Sequence, residues 1–141
     1  MMHELKERCD RIEEAYEFML AFAAQGLLDD RSSPTGADLR TALSKLDDAL
    51  TGLADLFRRL VAAHRLTPVA RYEAFIAVLE RDARDAQATV QLVSGQPAIS
   101  SQVVDNLNAS IHLRALLTDV FLIDEIIRPY ADVPSPPSLS P

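Results

Sequence analysis

The apolar residues between Leu39 and His64 fall at Leu39, Leu43, Leu46, Leu50, Leu53, Phe57 and Leu60, with His64 next in the series. Steps of four and three in strict alternation draw one narrow stripe down an α-helix, the pattern of a rod packed lengthwise against near-parallel rods. A β-strand would need alternation at every second residue, and the chain has no such run. The remainder of the sequence must therefore supply helices to cover this stripe.

It has the means to do so. Only 4 glycines interrupt 141 residues, 48% of the chain is hydrophobic, and the long stretches between turn signals are rich in Ala, Leu, Glu, Asp and Arg. That length and apolar content suit one domain with a continuous core. A first helix is expected from His3 to Gln25, ended by Gly26 in the left-handed position that follows a last turn. Leu27 to Gly36 reads as a loop, after which Thr35 as cap and Asp38 three residues on start a second helix running to about Arg65. Gly52 lies inside that helix, where it costs up to about 1 kcal/mol relative to alanine. Thr67-Pro68 reads as cap and first helical residue of a third helix, which Gly95 stops. Ile99, Ser100 and Val104 form a hydrophobic staple around a serine cap, and the fourth helix continues to about Arg128, before Pro129. The expected fold is all-α, an up-down-up-down antiparallel four-helix bundle over residues 1–129, followed at 130–141 by a disordered tail rich in Pro and Ser.

The fourth helix carries two apolar seams. One is Val104, Leu107, Ile111, Ala115, Leu122 and Ile126; the other is Leu113, Leu116, Val120, Ile123 and Ile127. A bundle needs only the first. The second, together with Phe18 and Phe22 of the aromatic ring that surrounds the end of the first helix, is surplus and predicts a homodimer interface.

Charge and composition exclude several functions. A formal net charge of −7 offers no concentrated basic face for a nucleic-acid backbone. No apolar run approaches the roughly 18–20 residues needed to span a bilayer, and the charged start MMHELKER is not an ordinary signal peptide. A single cysteine, Cys9, makes no intrachain disulfide, so a soluble cytoplasmic protein is expected. Cys9 has no triad partner and reads as a small hydrophobe.

Metal and cofactor sites are not expected. No Glu-x-x-His motif occurs, and Glu13, Glu17, Asp82, Asp105 and Asp119 lie one step off the apolar stripes, where solvated flank residues sit. The one polar constellation is Asn106, Asn108, Ser110, His112 and Arg114 in the fourth helix. Ser110 and Arg114 share the core-facing side, so a buried network is expected in which Arg114 meets Glu13, Glu17 or Asp82. A ligand pocket, if built here, would use Tyr16, Tyr72, Ser110, His112 and Arg114. The primary expectation is a non-enzymatic accessory or regulatory protein that acts by binding another protein. The alternative is a bundle that binds a small ligand or metal, with or without enzymatic activity, around Arg114 and His112.

Overall fold

The computed structural model describes residues 1–131. Within them the chain is all-helical: α1 (Met2–Ala24), α2 (Gly36–Leu50), α3 (Leu53–Ala63), α4 (Val69–Ser94), α5 (Ser101–Ala109) and α6 (Ile111–Ala131), with a short 3-10 turn at Asp30–Ser32 and no strand among the described residues. Tyr130 and Ala131, expected in the tail, continue α6 through Pro129. Residues 132–141 lie outside the described residues.

Two of the expected helices are each broken in two. The first break separates α2 from α3: Thr51 is extended and Gly52 takes φ +70, a conformation a glycine reaches without the Cβ penalty. The glycine read as an interior residue is thus the break itself. Carbonyls freed at the end of α2 are recovered by two side chains. Arg8 of α1 donates to the Ala49 and Thr51 oxygens, and Gln87 of α4 donates to the Asp47 oxygen at 3.1 Å and to Thr51 Oγ1 at 3.0 Å. The Leu39 stripe keeps its phase across the break, for Leu39, Leu43, Leu46, Leu50, Leu53, Phe57 and Leu60 are all buried. His64, just past the end of α3, is half-buried.

The second break has the larger consequence. Ser110 is extended (φ −57, ψ 132), and its hydroxyl accepts the His112 backbone N–H at 3.3 Å, so this residue ends α5 and caps α6. Rotation of the chain at this point decouples the two seams. α5 buries Val104 and Leu107, members of the first seam, whereas α6 buries Leu113, Leu116, Val120, Ile123 and Ile127, the second. The α6 members of the first seam turn outward, with Ile111 74%, Leu122 49% and Ile126 46% exposed. Leu113, Leu116, Val120, Ile123 and Ile127 are therefore interior to one chain and present no face to a second copy. Phe22 is likewise buried, and Phe18 half-buried against the same core.

Local signals behave as their chemistry requires, with two adjustments. Gly26 is left-handed at φ +65, and Ser100 accepts the Val103 N–H at 3.1 Å between buried Ile99 and Val104. Thr35 occupies the cap position of α2, but its hydroxyl bonds Ser33 Oγ at 2.8 Å instead of capping. Pro68 takes the cap position of α4, which starts at Val69.

The α1–α2 loop is held from inside. Asp30 is only 2% exposed, and its carboxylate accepts Arg40 Nε at 2.8 Å and the Ile99 N–H at 2.7 Å. Arg40 also donates to the Ser94, Gln96 and Pro97 carbonyls, so one guanidinium neutralises the carboxylate and caps the end of α4. Burial pushes the Asp30 carboxyl up, but Arg40 and the Ile99 N–H outweigh it and hold the group below the usual carboxylate range. Gly36 is needed here for space, since a Cβ on it would lie 1.9 Å from the Asp30 carbonyl oxygen. A second latch joins α1 to α5: Ser101 Oγ donates to the Phe22 oxygen at 2.7 Å and accepts the Leu27 N–H at 2.9 Å.

Candidate functional site

The five residues expected to line a pocket are not gathered into one. Tyr16 on α1 and Tyr72 on α4 are half-buried, Ser110 is the break between α5 and α6, and His112 and Arg114 stand exposed on the first turn of α6. The bond from the His112 N–H to Ser110 is a helix cap, not a network. Arg114 forms no ion pair with Glu13, Glu17 or Asp82, because the break turns it to solvent, where its charge is hydrated. Of the five polar residues from Asn106 to Arg114, only Asn108 is buried; its amide donates to the Met19 oxygen at 3.1 Å while its Oδ1 has no partner.

Tyr72 instead belongs to a site between α4 and α6. A cleft of about 360 Å³ is lined by Thr67, Pro68, Arg71, Tyr72, Phe75, Ile123 and Ile126. Burial first, and then the neighbouring Tyr130 hydroxyl, push the Tyr72 phenol up. From there a stripe runs along α6 through Tyr130, Ile126, Leu122 and Asp119, spaced so as to share one face of a helix. Phe75, Val78 and Asp82 do the same on α4. Val78, Leu122, Ile126 and Tyr130 on these two stripes are exposed, and Ile126 lines the cleft.

At the far end of this face Asp119 and Asp82 meet. Burial first, and then the hydrogen bond and charge of Asp82, push the Asp119 carboxyl from 3.8 up to about 7. Two carboxylates have no donor between them unless one is protonated, and Asp119 Oδ2 is buried without another partner. Such a group opposes folding when charged. As pH rises from about 4, where the unfolded chain ionises, to about 7, where Asp119 ionises in the folded chain, stability falls, and it levels off above that. Asp119→Asn is accordingly expected to leave stability unchanged at pH 4 and to raise it by about 1 kcal/mol at pH 8, a figure discounted for partial solvation. Urea unfolding of both proteins at the two pH values measures this, and equal midpoints at pH 8 would contradict the pairing.

A larger groove of about 700 Å³ lies between α1 and α6, and four of its charged residues pair with one another: Lys6 with Asp10 at 3.1 Å, and Arg128 with Asp124. Cys9 on its floor is pushed up to about 12, by burial first and then by Asp124, Glu13 and Asp10, so the thiolate a nucleophile requires is not formed near neutral pH. Among the described residues no three His, Cys, Asp or Glu side chains converge as a metal site would need, and no helix is long and apolar enough to cross a membrane.

The residues missed from the sequence are Leu122, Ile126 and Tyr130 as surface and Asp82 with Asp119 as a pair. The available signal was Ser110, whose short polar side chain competes with the backbone and favours a cap over a helix interior. No family model, curated protein or solved structure matches this chain.

Proposed function

We propose that the chain is an accessory or regulatory protein without catalysis of its own, which works in the cytoplasm as an antiparallel bundle of four rods, two of them broken. It binds another protein through the face shared by α4 and α6. The observation that carries this reading is that Leu122, Ile126 and Tyr130, at helical spacing along one side of α6, are 49%, 46% and 40% exposed, and that Ile126 lines an aromatic cleft. Contiguous apolar surface of this kind marks interaction sites, and aromatic residues are favoured at the centres of protein interfaces.

The homodimer expected from the second seam loses the residues it was drawn from, since those lie in the core. A different protein is the better occupant.

Ile126→Arg tests the reading. Because the side chain is already half in water, the variant is expected to fold with a melting temperature within about 2 °C of wild type, and to lose proteins that the wild-type chain retains from an extract of its host. Retention of the same partners by the variant would place the binding surface elsewhere.

A further inference from the structure

The α4/α6 face carries a charge pattern as well as an apolar one, and building on the reading of that face as a protein-binding surface, we infer that its occupant is an amphipathic helix bearing an arginine or lysine about two turns from a large apolar residue. The apolar residue enters the cleft formed by Tyr72, Phe75 and Ile126, and the cation meets Asp82 and Asp119. Position 119 precedes 126 by two turns of α6, a distance of about 10 Å at 1.5 Å per residue, which a partner helix lying alongside reproduces with the same spacing.

Charge complementarity selects this occupant. Three other buried or part-buried acidic groups have cations, Asp30 with Arg40, Glu80 with Arg58 and Arg84, and Asp124 with Arg128, and part-buried Asp47 has the Gln87 and Gln91 amides. Among the described residues, neither Asp82 nor Asp119 forms an ion pair with any Lys, Arg or His. Val78 and Leu122 lie one helical turn from the pair on its cleft side, so the carboxylates adjoin the apolar face at its far end. A wholly apolar partner would strip water from both carboxylates with nothing in return, whereas a guanidinium or ammonium supplies the missing donor and the opposite charge. The segment from Asp132 to Pro141 contains no Lys or Arg, so it does not supply that cation.

A display library of single helices, randomised along one face, selected against the full chain, tests this directly. The enriched helices are expected to carry Arg or Lys about two turns from a large apolar residue, to bind the double variant Asp82→Asn, Asp119→Asn at least tenfold more weakly, and to lose binding to Ile126→Arg. Helices that require Ile126 but bind the double variant equally well would overturn the charge contact and leave the face as a binding surface. Failure to enrich any helix sensitive to Ile126→Arg would overturn both. Light scattering that shows a dimer dissolved by Ile126→Arg would give the face to a second copy and overturn the proposal.

Discussion

Asp30→Ala is expected to lower stability by about 3 kcal/mol, toward the lower end of what breaking a buried ion pair costs because Arg40 is partly able to rehydrate. Asp30 is 2% exposed, and its removal leaves the Ile99 N–H without its 2.7 Å acceptor and Arg40 without its counter-charge. For a domain of this length such a loss lowers the melting temperature by roughly 10 °C. Arg40→Ala should cost at least as much, since it strands a buried carboxylate and also releases the Ser94, Gln96 and Pro97 carbonyls. Combined, the two substitutions should cost less than their sum by about 1–3 kcal/mol, the signature of a coupled pair. The Asp30 contribution has a definite pH sense. Its carboxyl is held below the usual range in the folded chain, so the stability it supplies is present above about pH 4 and is lost as pH falls further. Thermal melts of the three variants, with an acid titration of the wild type, check all of this; additive losses would show that the pair is not coupled.

Val120→Arg is expected to abolish folding. Val120 is 0% exposed in the middle of α6, and a guanidinium there loses its hydration at a cost of several kcal/mol while its extra length overpacks the core by about 1–3 kcal/mol more, together comparable with the lower part of a total stability of about 5–15 kcal/mol. Far-ultraviolet circular dichroism should show a chain largely unfolded at room temperature. A folded monomer would instead indicate that the Leu113 to Ile127 seam is an outer face. Ile126→Arg, six residues along the same helix, is the control that separates burial of the charge from its mere introduction into α6, since arginine has a higher helix propensity than valine or isoleucine.

What could be read from the residues and what could not divide along a physical line. The helices and their stops were legible because periodicity and caps are local: Gly26, Gly95 and the Ile99, Ser100, Val104 staple each lie within a few residues of the feature they determine. The Leu39 stripe was legible across its break because Gly52 turns the chain without changing phase. At Ser110 the phase does change, and a periodicity drawn on one continuous rod then assigns every residue beyond it to the wrong side. That single break made the core seam of α6 look like an interface and the true surface look like core, and it sent Arg114 and His112 inward when they face water. Asp30 was illegible for another reason. It sits among Asp29, Arg31, Ser32 and Ser33, which read as a hydrated turn, and its burial is decided by Arg40 and Ile99, the latter 69 residues away. The pairing of Asp82 with Asp119 is likewise set by how α4 and α6 pack, which spacing within either helix does not encode.

The central claim is that the break at Ser110 rotates α6 so that Val120 faces inward and Leu122 outward. Thiol labelling of the folded chain measures this residue by residue, with Cys9 silent because it is buried and its thiol protonated. Leu122→Cys should react with a maleimide reagent about as fast as an unhindered cysteine, and Val120→Cys should be protected until the chain is unfolded by denaturant. Rapid labelling at position 120 with protection at 122 would contradict the claim.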